Sequence, residues 1–341
     1  MFKVFSAYGI NKDCINEYKS FISDIEYKDD KLFITLSKKI YDFNDKVTFF
    51  IDNNKYYVIH DNNTIEQKVN EMNDFTKIMF RILVTCKKRE EPWSHILNFI
   101  NYNEEEYFII SADDIKKSRQ SWNGKDNQFE PRILAYQPFA SSRPTIFKKK
   151  NLSLLPIENG KYILTKKNIY KNILYDDNIP INLIERNEKS VVLKIGKSET
   201  SLIDNLRYSG IFERPEILGE KILYGPLLNG RHRCNLSIKL DNKPIDIKGV
   251  QYEVDSCYET ENKILIIEGK SYSNNIDSFN IRQLFFPFRE LKNKVGNEKE
   301  IMCMFLHELD SIVNIWTFNF TDPDNMLSII QTGYFRYKFK N

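Results

Sequence analysis

A chain of 341 residues exceeds the usual single-domain size, so two or more domains, each able to bury its own core, are expected. Its 41% hydrophobic and 13% aromatic residues, with only 12 Gly and 11 Pro, exclude disordered, collagen-like and low-complexity classes. Fifty basic against 47 acidic residues leave a formal charge of +3, so any surface for a polyanion must be a local patch.

The five cysteines (Cys14, Cys86, Cys234, Cys257 and Cys303) are odd in number and widely spaced, without CxxC or Cys/His ligand spacing. This implies reduced thiols and no structural zinc. Histidines at 60, 95, 232 and 307 form no HxH or HxxxH pattern, which argues against a histidine metal site. The opening MFKVFSAYGINKDC has no apolar run of leader length, and no stretch approaches the roughly 18 apolar residues of a membrane span. A cytoplasmic protein without membrane contact is the expectation.

In chain order, KLFITL, VTFFI and KYYVI between residues 31 and 59 predict strands, the last two joined through the turn-forming Asp52-Asn53-Asn54. From Thr64 onward, Ile65, Val69, Met72, Phe75, Met79 and Ile82 recur every three or four residues, the stripe of an amphipathic helix. Trp93, Ile96, Leu97 and Ile100 mark a short helix. Ser111 and Asp114 form a capping-box signal for a second, ADDIKKS. A basic segment with Arg143, Lys148, Lys149 and Lys150 precedes LSLLPI, the turn Glu158-Asn159-Gly160 and KYILTKK, a hairpin pattern. Short helices, a basic segment and a hairpin are the order of a winged helix, which would place those four basic residues on nucleic acid; a solvated basic face of an α+β domain is the alternative. Residues 166–190 are polar and strand-poor and suit a linker, with a further domain opening near Val191.

The chemistry concentrates in VQYEVDSCYETENKILIIEGK, residues 250–270. Ile264 to Ile267 is an apolar run, expected as a strand buried on both faces, and Glu268-Gly269-Lys270 emerges at its end. Strand alternation puts Glu268 and Lys270 on one face, and Glu253 and Asp255 on one face of the preceding strand. A two-residue turn at Glu261-Asn262 sets Asp255 opposite Glu268, with Cβ atoms about 5 Å apart; the same register turns Glu253 toward Lys270. Two carboxylates so close repel unless a cation joins them. Mg²⁺ suits them, since it takes one or two carboxylates and completes its shell with water and phosphate. Glu-x-Lys occurs six times, at Glu17, Glu26, Glu66, Glu261, Glu268 and Glu290, and only the instance at 268 combines an apolar strand with an acidic hairpin partner. A surface hairpin carrying a charge cluster is the bland alternative.

This segment resembles the PD-(D/E)xK nuclease signature, with Asp255 as the first acid, Val254 in the variable proline position, and Glu268-Gly269-Lys270 as the second half. GVQYEVDSCYE, IIEGK and FNIRQLFFPFRELK, with SRPTIFKKKNLSLLPIENGKYIL upstream, are similar to a group of type II restriction endonucleases, so the resemblance spans roughly 90–335. It implies a sequence-specific, Mg²⁺-dependent endonuclease of double-stranded DNA. Asp255, Glu268 and the main chain at Gly269 would hold the metal, and Lys270 would be the catalytic lysine. A cognate DNA methyltransferase is implied as a functional partner. The expected fold is multidomain α/β or α+β: residues 1–90 of unknown role, a winged-helix-like recognition region at 91–175, and a nuclease core with a central mixed sheet at 191–341. Alternatives are a repair or branched-DNA nuclease of the same fold and an inactive DNA-binding regulator. A homodimer is expected only for a palindromic target.

Secondary candidates surround this core. Glu253 would assist the metal or pair with Lys270. Gln283 and Arg282, on a helix from Phe279 that Pro287 ends, would reach the site or a phosphate, or form the polar face of a packing helix. Arg231 and Arg233 flank His232 in a compact basic cluster suited to phosphate. Glu213, Glu220 and Glu259 are weaker candidates for an extra acid. Cys257 lacks a histidine that would make it a nucleophile.

Overall fold

A computed structural model of the chain describes residues 22–28, 31–36, 48–52, 55–60, 63–67, 92–122, 129–185, 198–270 and 276–340. It is a mixed α+β protein with several sheets and few helices. Two compact units are distinguished, residues 1–136 with 143–152, and residues 137–142 with 153–341. Among the described residues no helix is long and apolar enough to cross a membrane.

The first unit opens with an antiparallel meander of β1 (Ile22–Lys28), β2 (Lys31–Leu36), β3 (Thr48–Asp52), β4 (Lys55–His60) and β5 (Asn63–Gln67). The strands expected between 31 and 59 are present, and Asp52 pairs with Lys55 across the expected turn. Ile65 lies in β5, paired with Val58, and not at the start of a helix; pairing to β4 outweighs the helical spacing there. The rest of that stripe, from Val69, lies outside the described residues, as does the boundary near Val191.

Helix α1 covers 92–99. Strand β6 (Tyr107–Ser111) then leads into α2 (Ala112–Ser118), and the Ser111–Asp114 capping box forms as expected, satisfying two otherwise open backbone donors. Short helices α3 (Pro131–Leu134) and α4 (Thr145–Lys149) follow. Trp93 is fully buried, donates from Nε1 to the Leu134 carbonyl at 3.1 Å, and packs its ring 4.6 Å from Phe147.

In the second unit the expected hairpin is β7 (Ser153–Glu158) and β8 (Lys161–Thr165), turned at Gly160. The segment expected to be a linker is built into this unit instead. It forms β9 (Tyr170–Asn172) and β10 (Ile181–Ile184), and between them Arg336 pairs with Asp177 at 2.8 Å and bonds the carbonyls of Asp176 and Ile179. Strands of three and four residues are too short to leave a periodic signature.

After α5 (Glu199–Tyr208) and β11 (Tyr224–Leu227) comes a long hairpin of β12 (Gly230–Leu240) and β13 (Lys243–Val254). Then follow β14 (Ser256–Glu259), β15 (Lys263–Lys270), β16 (Ser278–Asn280), α6 (Arg282–Val295), β17 (Glu300–Leu309), β18 (Ile312–Phe320) and β19 (Ile329–Phe339). The central sheet runs β10-β19-β18-β17-β15-β14-β11 and is mixed, with β15 parallel to β17 and antiparallel to β14. Leu202, Ile203 and Leu206 of α5 share a core with Leu265, Ile267 and Leu306 on one face. On the other, Phe279 stacks on Phe305 at 4.6 Å and meets Phe318 edge-on.

Helix α6 begins at Arg282, after a short strand at 278–280, and runs through Pro287. Pro287 is buried within a helix that also buries Leu284, Phe285, Phe286 and Phe288, so packing outweighs the helix-breaking tendency of proline. Phe305 is fully buried. Replacing it by Ala is expected to lower unfolding free energy by about 3–5 kcal/mol, read as a fall in the urea midpoint with an unchanged m-value.

Candidate functional site

The β14–β15 pairing has the register expected from the sequence, Ser256 with Ile267 through Glu259 with Ile264, and turns at Glu261-Asn262. Asp255 sits one residue beyond this ladder, at the bend where the chain leaves β13 for β14, and so reaches the end of β15. Its Oδ2 accepts from Gly269 N at 2.8 Å, which fixes the carboxylate beside the Glu268-Gly269-Lys270 segment.

Lys270 is the centre of the cluster. Its Nζ lies 2.6 Å from Glu268 Oε1, 3.9 Å from Asp255 Oδ2 and 3.8 Å from Glu199 Oε1, and donates to the Gly269 carbonyl at 2.8 Å. Gln283, on the second residue of α6, donates from Nε2 to Glu268 Oε1. Two elements on opposite faces of β15 thus converge on its last three residues. The α5 start, where Ser198 caps the helix by accepting from Ser201 N, supplies Glu199; the α6 start supplies Gln283. His307, in register with Lys270 on β17, is fully buried with Nδ1 2.8 Å from the Tyr175 hydroxyl.

Burial dominates the electrostatics. It pushes the Glu268 carboxyl up to about 7, against the attraction of Lys270 and with the repulsion of Asp255. Burial acts to lower the Lys270 ammonium, but the carboxylates of Glu268, Asp255 and Glu199 outweigh it and hold the group above its ordinary value. Lys270 is therefore a cation throughout the neutral range, and Glu268 exchanges its proton near pH 7.

Of the expected site residues, Asp255, Glu268, Gly269, Lys270 and Gln283 come together. Glu253 does not: it pairs with Arg231 on β12, 3.7 Å away, and is exposed. The register that would have turned it toward Lys270 ends at Asp255, where the chain changes sheets. Arg282 adjoins the cluster in sequence, with its backbone N–H bonded to Asn280 Oδ1. Arg231 and Arg233 are exposed on β12. In the first unit, Arg143 donates to the Leu152 carbonyl, Lys150 pairs with Glu104, Lys149 is exposed and Lys148 half-buried. Glu213, Glu220 and Glu259 hold Arg207, Thr260 and Lys299 and serve the fold. Burial pushes the Cys257 thiol up to about 12, which leaves it inert. Glu199 escaped the sequence reading, because nothing local ties a helix start to a strand end some seventy residues later; its one local signal is the acid after the Ser198 cap.

The donor set fits a hard divalent cation. Asp255 and Glu268 supply carboxylate oxygens, Gly269 a carbonyl and Glu199 a further carboxylate beside them. Gln283 Oε1 is buried next to Glu268 without a hydrogen-bond partner, an acceptor that a hydrated cation would satisfy. Among the described residues no tight cage of three or more His, Cys, Asp or Glu side chains is formed. The carboxylates instead surround the Lys270 ammonium.

A pH prediction follows for the protein in EDTA. The folded pKa of Glu268, about 7, lies above its ordinary 4.5, so the native state holds this proton more tightly than the unfolded chain. The stability it contributes is full below about pH 4.5 and is lost as pH rises through about 7. Urea midpoints of the wild type should decline across this window relative to Glu268→Gln; parallel curves would contradict the assignment.

No curated protein and no solved structure matches the chain. Residues 90–164 match the family described as Domain of unknown function (DUF6996), and residues 165–338 match Domain of unknown function (DUF6997). The second match spans just over half of the chain and contains the whole Asp255–Glu268–Lys270 cluster, so the protein belongs to the DUF6997 family.

Proposed function

We propose that the protein is a Mg²⁺-dependent, sequence-specific endonuclease of double-stranded DNA, of the type II restriction kind, with a PD-(D/E)xK core in its second unit. The convergence of Asp255, Glu268 and Lys270 at the end of one buried strand carries this reading. The upstream region at 91–175, winged-helix-like in the order of its elements, would carry recognition, with Arg143 and Lys148 to Lys150 among its DNA contacts. Arg231, Arg233 and Arg282 would meet phosphates nearer the cut. A palindromic target would call for a homodimer, and a cognate methyltransferase would protect host DNA.

The chemistry follows from the geometry. Asp255, Glu268 and the Gly269 carbonyl would hold Mg²⁺, with Glu199 as an added acid. When bound, the ion polarises the scissile phosphate and acidifies a water. Lys270 would orient the nucleophile and offset negative charge developing on the phosphate. Gln283 orients Glu268 through its amide donor. The Asp255 bond to Gly269 N sets the spacing of the two acids.

The direct test is digestion of unmethylated phage DNA with Mg²⁺ and sequencing of the fragment ends, which should share one short motif. Lys270→Ala and Asp255→Asn should each lower cleavage by at least about 10²-fold while duplex binding persists. Undiminished cleavage by either variant would remove the site assignment, and no wild-type cleavage on any duplex would remove the function.

A further inference from the structure

We propose that Leu228 and Asn229 form the wall of the cleavage site across from Asp255 and hold the DNA strand there. Leu228 would lie against the sugar and base step beside the scissile phosphate, and Asn229 would donate to the phosphate from its side-chain amide. This deepens the nuclease reading and rests on it.

The placement follows from strand pairing. Leu227 of β11 is in register with Cys257 of β14, and Gly230 of β12 with Val254 of β13. The two pairs belong to different sheets, so both segments change sheets at one point. The residues that make the change are Leu228 and Asn229 on one segment, and Asp255 and Ser256 on the other. Continuing the register inward from either side sets Asn229 across from Asp255, and Leu228 across from Ser256. In a regular antiparallel pair such positions have Cβ atoms about 5 Å apart, less than two base-pair steps of roughly 3.4 Å each. A phosphodiester held at Asp255 therefore brings its flanking nucleotides against these two residues.

The segment has the surface chemistry of a contact. Residues 222–230 carry no charge between Lys221 and Arg231, and Leu223, Tyr224, Leu227 and Leu228 are between 37% and 58% exposed. The apolar parts of a duplex are its sugars and base faces, and side chains such as Leu reach them in the minor groove and between base steps. Asn229 is exposed, and its side chain has no hydrogen-bond partner among the described residues, so its amide is open to a ligand.

Backbone strain singles out Leu228. It is held at φ 54°, in the left-handed region where a bulky side chain is at a steric disadvantage. Asn and Gly take that region most readily, and here they come next, as Asn229 and Gly230. The Leu228 carbonyl accepts from His232 Nε2 at 2.9 Å, and the His232 ring stacks on Tyr252, which fixes the turn. A leucine kept both exposed and strained points to contact and not to folding. A second copy of the chain is a poorer occupant, because β11 has only four residues and Pro226 among them offers no backbone donor to a neighbouring edge.

The test uses Leu228→Asn and Asn229→Ala in the full chain. Asn tolerates the left-handed region, so the urea midpoint of Leu228→Asn should equal or exceed that of the wild type. Its cleavage of phage DNA in Mg²⁺ should nevertheless fall by about 10-fold or more through loss of substrate positioning. Asn229→Ala should weaken binding of a fluorescent duplex in EDTA by about 10-fold, the worth of one hydrogen bond to a charged group. Wild-type cleavage by Leu228→Asn overturns the proposal, and so does a midpoint that falls in step with activity, since Leu228 would then serve packing. Self-association of the wild type that Leu228→Asn abolishes, with duplex affinity unchanged, overturns it in favour of contact between copies. If the wild type cleaves no duplex, the nuclease reading is lost and the wall is judged by affinity in EDTA: weaker duplex binding by both variants supports it, and equal binding overturns it.

Discussion

The Glu268–Lys270 ion pair at the end of β15 is the interaction around which the second unit is arranged. Both side chains are almost wholly removed from water, 7% and 10% exposed, at the end of a strand that is apolar from Ile264 to Ile267. Burying two charges costs several kcal/mol each unless neighbours compensate, and removing one partner of such a pair costs about 3–5 kcal/mol. Compensation comes from the strand's own backbone and from outside it: the Gly269 carbonyl accepts a hydrogen bond from Lys270, Gln283 donates to Glu268, and Asp255 and Glu199 add negative charge around the ammonium. An apolar pair would fill the same volume without these demands, and the proposed function gives the charges a use that folding alone does not.

The two faces of β15 have different tasks. Glu268 and Lys270 look toward the α6 side, where Phe305 and His307 continue the row on β17. Gly269 lies on the other, against α5, where an added Cβ would come within 3.2 Å of Leu306 Cδ1 and 3.4 Å of Ile203 Cδ1. The absence of a side chain at 269 lets α5 pack closely enough for Glu199, at its first turn, to reach around the strand end to Lys270. Small size at 269 and charge at 268 and 270 are thus parts of one arrangement, which a reading of Glu-x-Lys as two functional residues with a spacer would overlook.

How much of this was legible in the sequence depended on how local each cause is. The β14–β15 register that carries Asp255 to the end of β15 was legible because a two-residue turn fixes antiparallel register, and the capping box at Ser111 and the hairpin turned at Gly160 were legible because their causes are equally local. Strand alternation does not place Glu253, because it breaks at Asp255, where the chain changes sheets. The segment at 166–190 looked like a linker because β10 gains its partner only from β19, some 150 residues later. The sequence marks Pro287 as a stop because its missing donor is a local fact, while the apolar neighbours that keep it helical are assembled only by the fold.

Glu199 shows the same limit from the side of function. Its carboxylate comes from a helix start, a position that favours an acid for the helix alone, since the exposed N–H groups there carry partial positive charge. The sequence therefore offers a sufficient local reason for Glu199, and nothing in it demands a second. Only packing of Leu202, Ile203 and Leu206 onto the sheet brings this acid within 3.8 Å of Lys270. The three carboxylates reach Lys270 by three routes: its own strand, the bend before the partner strand, and a helix from the opposite face. A charge cluster left by chance on a surface hairpin would need only the first two. The third is held by a buried core and ends on a lysine kept protonated by all three acids, an arrangement that the proposed function uses to manage negative charge.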